Sequence, residues 1–485
     1  MTSTERGNDK LCYEGHMFVF DKFSANGKVK FWRCQFRGSC KARLHTSAAT
    51  RAVVNILGTH SDPSDAAAVE VAVVKNKLKI RAAETQETPS QLINHVLAGT
   101  NASERMVFPS NDVLAKTVSR VRKSCGMTSS AFKDRSSIVI PEEYATYKPD
   151  DGPTESFSIG DSGSGDVNRI LIFGRESISK WIAQVDKVYV DGTFSLAPKL
   201  FYQLFVILGE RSGFVFPLCY ALLPNKAQET YSRMITLLLG AWPELNPLKI
   251  SLDFEIALMS AFQCAFPQAE IQGCFFHLAK SMKRKVAKLG LLKRYKEDPD
   301  FALAARMIPA VAFVPLPAIE TAMAELAPVL PPELMPLLYH FEDYYLGRLR
   351  YVRGNDVARA PARFSMDMWT VYQRTLNGES RTNNFAEAAH RKLQSQFGVD
   401  HPTLFRLIDG LKKNQSSQDV AYNRFVGGQE PTKRRSKYVQ ADENILRIVN
   451  DYKKRTMLEY LQELACNFRF EDAPSSRARD DENDD

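Results

Sequence analysis

The stretch from residue 186 to residue 273 constrains the fold most. Apolar runs at 186–193, 199–208 and 213–222 follow one another closely enough to be antiparallel neighbours. Helical spacing follows at 227–241, then a strand at 248–252, a helix at 255–266, a strand at 269–273 and a helix from 277 to about 288. The first three runs need only short turns between them. The third joins the fourth through a helix, which is the connection a crossover to a parallel strand requires. A chain so patterned builds an α/β sheet in which the first and fourth strands lie side by side.

Three acids sit in settings that suit this sheet. Asp191 ends the first strand, in Val188-Tyr189-Val190-Asp191-Gly192-Thr193-Phe194. Asp253 follows the fourth, in Ser251-Leu252-Asp253-Phe254-Glu255, and Glu387 ends Thr382-Asn383-Asn384-Phe385-Ala386-Glu387 on a helix that starts near Asn383. Adjacent carboxylates repel unless cations neutralise them, and Mg²⁺ or Mn²⁺ does so with oxygen ligands. Two such ions roughly 3.5–4 Å apart can activate an attacking oxygen and stabilise the leaving one. Asn384 and Arg391 flank Glu387 at helical spacing and could contact a phosphate or hold the carboxylate. Taken singly, each acid also fits an ordinary role: a strand-end turn for Asp191, an N-cap for Asp253, a surface helix acid for Glu387. Cys274 and His277 supply half of a zinc set, or else a buried thiol and a helix-start imidazole. Cys264 is expected on a core helix face.

The N-terminal segment reads as short strands. Met17–Phe20 and Val29–Trp32 flank Asn26-Gly27, a hairpin signal, and β-prone pieces follow at Ala42–His45 and Ala52–Leu57. Cys34, Cys40 and His60 make three-quarters of a tetrahedral zinc site, and a module this small gains from a metal staple. Asp62, His45 or Cys12 could complete it. The basic positions Lys28, Lys30, Arg33, Arg37, Lys41 and Arg43, interleaved with Phe31, Trp32 and Phe36, suit phosphate contact with some base or sugar packing.

Elsewhere, 61–84 reads as an Ala- and Val-rich spacer with helical tendency, and 89–125 as helical. There Ser110-Asn111-Asp112 caps a helix with Val113, Leu114, Val118 and Val121 on one face and Lys116, Arg120 and Arg122 elsewhere. These helices either form a small DNA-binding unit or simply pack on one another. Residues 150–166 read as a loop, 298–376 as a helical insertion, and 402–414 and 441–465 as helices. The Lys433–Lys437 run is a localisation signal, a DNA-backbone contact or a solvated loop, and 480–485 is an acidic tail.

Two resemblances sharpen this. Phe18 or Phe20, Trp32, Cys34, Cys40 and His60 resemble a FLYWCH-type zinc finger. That family usually closes with His-x-His and Pro, whereas this chain has His60-Ser61-Asp62-Pro63. Residues 185 to about 395 resemble the transposase domain of Mutator-like elements (MULE), carried by the Asp191, Asp253 and Glu387 stretches and by Gly273-Cys274-Phe275-Phe276-His277-Leu278. The resemblance implies a DDE transposase: an α/β ribonuclease-H-like core with a helical insertion, Asp191, Asp253 and Glu387 as catalytic residues holding Mg²⁺ or Mn²⁺, and a small β-rich zinc-binding N-terminal domain. The expected division is a zinc finger at 11–65 and a helical linker or accessory DNA-binding region at 85–150. The transposase domain follows at 166–400 with its insertion at about 290–376, then a helical region at 401–470 and a tail at 471–485.

A net charge of +8 permits a polyanionic partner without demanding one. The polar start and the cysteine usage argue for a reducing compartment, and no run reaches membrane-spanning length. The expectation is a nuclear, zinc- and metal-dependent transposase acting on double-stranded DNA as a homo-oligomer, with no membrane role. The alternative is a domesticated DNA-binding regulator that keeps the fold without the chemistry.

Overall fold

A computed structural model of the chain describes residues 2–3, 9–36, 38–85, 87–100, 108–124, 132–351, 357–430 and 436–470. Arg37, most of the Lys433–Lys437 run and the acidic tail therefore lie outside the described residues. The chain divides into two compact units, 1–131 and 132–485.

The first unit opens with a six-stranded antiparallel sheet in sequence order: β1 (Thr2–Ser3), β2 (Asp9–Tyr13), β3 (His16–Phe23), β4 (Val29–Cys34), β5 (Arg43–Ser47) and β6 (Val53–Leu57). The β3–β4 turn places Gly27 at φ +69°, which suits glycine, and Ser24 closes it onto Val29. Period-2 alternation buries Phe18, Trp32 and Leu44 as a small core. Trp32 is fully buried and donates its indole N–H to Thr46 Oγ1 at 2.9 Å. It therefore belongs to the core rather than to a DNA-facing strip; of the aromatics expected there, Phe36 is exposed.

The spacer at 61–84 is a 19-residue helix, α1 (Ala66–Glu84), whose N-cap Asp65 accepts the Ala68 N–H. Helices α2 (Pro89–Leu97) and α3 (Asn111–Ser124) pack with it around Leu78, Ala82, Leu92, Ile93, Leu114 and Val118. Two expectations for α3 change. Val113 is exposed, and Arg122 is buried. Arg122 donates to the Ala82, Thr85 and Glu87 carbonyls, because the end of α1 leaves carbonyls that no helical N–H can reach.

In the second unit a two-stranded piece, β7 (Thr146–Tyr147) and β8 (Glu155–Ser156), precedes a seven-stranded sheet. Its strands are β9 (Ser158–Asp161), β10 (Leu171–Gly174), β11 (Lys187–Thr193), β12 (Gln203–Arg211), β13 (Phe214–Leu223), β14 (Lys249–Leu252) and β15 (Glu270–Gly273). They lie in the order β15-β14-β11-β12-β13-β10-β9. Strands β11, β12 and β13 are antiparallel neighbours, while β14 runs parallel to β11 and β15 parallel to β14. Helix α4 (Gln228–Ala241) makes the crossover to β14, α5 (Ile256–Ala265) joins β14 to β15, and α6 (Phe275–Lys288) follows β15. The expected 150–166 loop contains β9, and β10 lies outside the expected strands; together they widen the sheet beyond β13.

Alternation along the strands feeds two cores. Val188, Val190, Phe205 and Ile207 face α4, α5 and α6. Tyr189, Leu204, Val206 and Leu208 face α7 (Asn384–Phe397) and α8 (Leu404–Val426). Residues 299–341 form helices and 3₁₀ turns, as the insertion pattern implies, but a strand pair, Leu349–Tyr351 with Val357–Arg359, follows them. Buried Arg374 returns this segment to the sheet by donating to the Gly273, Met368 and Thr370 carbonyls. The 441–465 helix is two helices, Ser436–Asn450 and Met457–Cys466, because Thr456 and Glu459 form a capping box that starts the second. No described helix is long and apolar enough to cross a membrane.

Candidate metal centres

In the first unit, Cys34 ends β4, Cys40 follows the next turn, and His60 and Asp62 lie beyond β6. The ligand atoms of these four residues all fall within 4.8 Å of one another. Cys40 Sγ is 3.5 Å from His60 Nδ1, His60 Nδ1 is 3.3 Å from Asp62 Oδ1, and Cys34 Sγ is 3.6 Å from Asp62 Oδ1. Donors about 2.0–2.3 Å from a tetrahedral ion stand roughly 3.3–3.8 Å apart, so the set fits zinc. Asp62 is the fourth potential donor in the group. His45 instead packs against Phe31, with the rings tilted 57°, and Cys12 pairs with Met17 in the sheet.

Clustered donors that become anionic favour a cation among them. Cys40, with His60 and His16, holds the Asp62 carboxyl well below the usual carboxylate range. Burial, with Cys40 and Asp62 alongside, pushes the Cys34 thiol up to about 11. An ion must therefore displace that proton. His16 had no motif to announce it: its ring stacks on His60 at 3.6 Å, and its Nδ1 is 3.2 Å from Asp62 Oδ2.

In the second unit, Asp191 lies near the end of β11 on the same strand face as Tyr189, toward α7, which carries Glu387. Its Oδ1 accepts the Gly192 N–H, and a Cβ at position 192 would meet the Gln203 side-chain amide, which would have to shift to make room. Asp253 follows β14, which runs parallel to β11. It does not cap α5, whose N-cap is Glu255; its Oδ1 accepts the Phe254 N–H at 2.6 Å.

The acids interact electrostatically. Burial, reinforced by the Asp191 charge, raises the Glu387 carboxyl above its ordinary value. Desolvation works to raise Asp253 as well, but His277, the Phe254 N–H, Lys280 and Lys226 hold it below the ordinary value. Burial opposes charge on His277, yet Asp253, Cys274 and Asp191 push it up to about 10. Partly buried carboxylates, of which Glu387 feels the Asp191 charge, with His277 and His390 against the two aspartates, form a donor set that a divalent cation fits. These atoms do not close as tightly as the Cys34 cluster, which is the one gathering of that closeness among the described residues.

The scaffold around the acids includes residues to which the sequence assigns no role. Asn383 is fully buried; its Nδ2 donates to the Val190 carbonyl at 2.7 Å and its backbone N–H to Cys274 Sγ at 3.0 Å. Asn384, the residue singled out from the pattern, is exposed at the first position of α7, and Arg391, also exposed, lowers the Glu387 carboxyl through its charge. His390, one turn beyond Glu387, faces Asp191. Cys264 is exposed, because α5 buries Leu258, Met259, Ala261 and Phe262 on its other face.

Residues 1–61 match the family model described as the FLYWCH zinc finger domain, and residues 187–281 match that of the MULE transposase domain. The chain carries a FLYWCH zinc finger domain and a MULE transposase domain. The FLYWCH match ends at Ser61, one residue before Asp62. The MULE match spans β11 to α6, taking in Asp191, Asp253, Cys274 and His277 and ending well before Glu387. Three Caenorhabditis elegans proteins share the first module. FLYWCH transcription factor 3 is 34% identical over 61 residues, 12% of this chain and 14% of its own length. FLYWCH transcription factor 1 is 36% identical over 52 residues, 11% of this chain and 10% of its own. FLYWCH transcription factor 2 is 38% identical over 53 residues, 11% of each. The chain thus spans about a seventh or less of the length of these relatives.

Proposed function

We propose that this protein is a DNA transposase of the Mutator-like type. Its FLYWCH module binds zinc through Cys34, Cys40, His60 and Asp62 and engages double-stranded DNA. Its second unit is a ribonuclease-H-like core in which Asp191, Asp253 and Glu387 hold Mg²⁺ or Mn²⁺. The observation that carries the reading is the parallel pairing of β11 with β14, which brings the strand of Asp191 beside the strand that Asp253 follows. The response of Glu387 to the Asp191 charge supports the third member.

The bound ions would supply charge neutralisation for attacking and leaving oxygens. The carboxylates orient that charge, and Asn383 keeps their supporting elements in register. Helix α6 leads away from the site with Lys280, Lys283, Arg284 and Lys285, a strip suited to the DNA backbone. In cleavage a water oxygen bonds to phosphorus and the 3′ oxygen leaves as a hydroxyl. In strand transfer that hydroxyl bonds to a target phosphorus and a second 3′ oxygen leaves. Paired DNA ends call for paired sites, hence a nuclear homo-oligomer.

The test is full-length protein with supercoiled plasmid and Mg²⁺ or Mn²⁺. Wild type nicks the plasmid, and Asp253→Asn and Glu387→Gln lose the activity by about a thousandfold or more. A second reading has its own support, because the similar proteins named above are transcription factors that share the finger. In that reading the chain is a domesticated regulator. Zinc-dependent DNA binding by a wild-type protein that never nicks would establish it instead.

A further inference from the structure

Two histidines flank the carboxylates, and the mechanism above does not use them. His277 Nδ1 is 3.7 Å from Asp253 Oδ1, and His390 Nδ1 is 3.5 Å from Asp191 Oδ2. One imidazole therefore stands against each aspartate. The side chain of His277 is 10% exposed and that of His390 14%. His277 Nδ1, the nitrogen that faces Asp253, is buried with no hydrogen-bond partner among the described residues; His390 faces Asp191 through Nδ1, while its unpartnered buried nitrogen is Nε2, on the other edge of the ring. A histidine kept for packing usually satisfies its ring nitrogens with carbonyls or hydroxyls, so a buried nitrogen left over calls for a physical reason, such as an ion.

The positions of the rings on their helices point the same way. Glu387 and His390 are three residues apart on α7 and share a face. A Glu-x-x-His pair at this spacing is how helical di-metal carboxylate proteins direct an oxygen and a nitrogen to one centre. His277 is in the first turn of α6, which starts where β15 ends beside β14, the strand that Asp253 follows.

We propose that His277 and His390 are metal ligands alongside Asp191, Asp253 and Glu387, making a mixed nitrogen–oxygen centre that takes Mn²⁺ in preference to Mg²⁺. This rests on the metal-site reading above and adds to it. Mg²⁺ favours all-oxygen sets and gives up its waters reluctantly, whereas imidazole strengthens binding of first-row transition ions. The centre therefore discriminates between two ions that carboxylates alone treat more alike.

The test uses zinc-loaded, full-length protein carrying ¹⁵N-histidine, with Mn²⁺ as the probe, read by pulsed electron paramagnetic resonance. Asp191→Asn serves as the control that separates this centre from the zinc finger. Expected are ¹⁵N couplings from manganese-bound imidazole that vanish in Asp191→Asn. In His277→Gln and His390→Gln the couplings shrink, and Mn²⁺ affinity falls by about tenfold while Mg²⁺ affinity changes little. Mn²⁺ that binds in an Asp191-dependent way without nitrogen couplings overturns the histidine assignment and leaves the carboxylate centre standing. Mn²⁺ binding that ignores Asp191→Asn, or no binding, overturns both. The isotope experiment needs no histidine variant, so the ligand assignment stays testable even where such a variant folds poorly.

Discussion

The backbone N–H of Asn383 donates to the sulfur of Cys274 at 3.0 Å. This contact joins the end of β15 to the start of the helix that carries Glu387. The same asparagine reaches the carbonyl of Val190, the residue before Asp191. Cys274 is thus a hydrogen-bond acceptor in a scaffold, and the Cys274-x-x-His277 step has a structural half and a half that faces the acids. Cys274→Ala leaves the Asn383 N–H buried without a partner. It should destabilise the second unit by about 1–3 kcal/mol, with Cys274→Ser recovering part of the loss. Urea denaturation followed by tryptophan fluorescence checks this, and a Cys274→Ala protein as stable as wild type would contradict it.

As the fourth donor of the proposed zinc set, Asp62 is a harder and more charged ligand than a histidine would be. Asp62→His should tighten zinc by about tenfold, and Asp62→Ala should weaken it by at least as much. Competition against a chromogenic chelator measures both. Removing the metal should also loosen the small Phe18, Trp32 and Leu44 core, with exposure of Trp32 visible in its fluorescence. Equal zinc affinity in all three proteins would remove Asp62 from the ligand set.

Arg122 closes the end of α1 with donors to three carbonyls. Arg122→Ala should cost about 2 kcal/mol or more, since buried carbonyls lose a charged donor. Hydrogen exchange should rise across α1, α2 and α3 and stay unchanged in the second unit. Uniform exchange across both units would show that the three helices do not depend on this residue.

Lys187 opens β11, is buried, and donates to Gln272 Oε1 at 2.6 Å. Burial, with Arg374 nearby, lowers its ammonium to about 8, from 10.5. Between those values the unfolded chain binds more protons than the folded one. The Lys187 contribution therefore improves as pH rises from about 8 to 10.5, by up to ~3 kcal/mol, and its penalty is complete below pH 8. Wild type should gain stability relative to Lys187→Met between pH 7.5 and pH 10. An unchanged difference across that range would contradict the shift.

The sheet is legible in the sequence because its signal is local. The runs at 186–193 and 248–252 are bounded by turns, and the helix before the second allows the β11–β14 pairing. β10 escapes such a reading because four apolar residues after a Gly- and Ser-rich stretch carry no periodicity. Val113 and Arg122 depart from expectation because helical spacing names a stripe without saying which neighbour covers it. The sequence leaves the fourth zinc donor open among Asp62, His45 and Cys12, and the fold sets Asp62 beside His60 and Cys34. The roles of Asn383 and His390 cannot be read from the sequence because their partners, Cys274, Val190 and Asp191, are distant in the chain. Nothing local separates a buried asparagine from its exposed neighbour Asn384.

Metal-dependent cleavage is tested most directly by comparing wild type with Asp191→Asn on supercoiled DNA in the presence of Mn²⁺. Wild type should give nicked product carrying a 3′-hydroxyl and the variant none, with DNA binding by the zinc module intact in both. Equal nicking by the two proteins would contradict the assignment of Asp191 and, with it, the metal-dependent transposase reading.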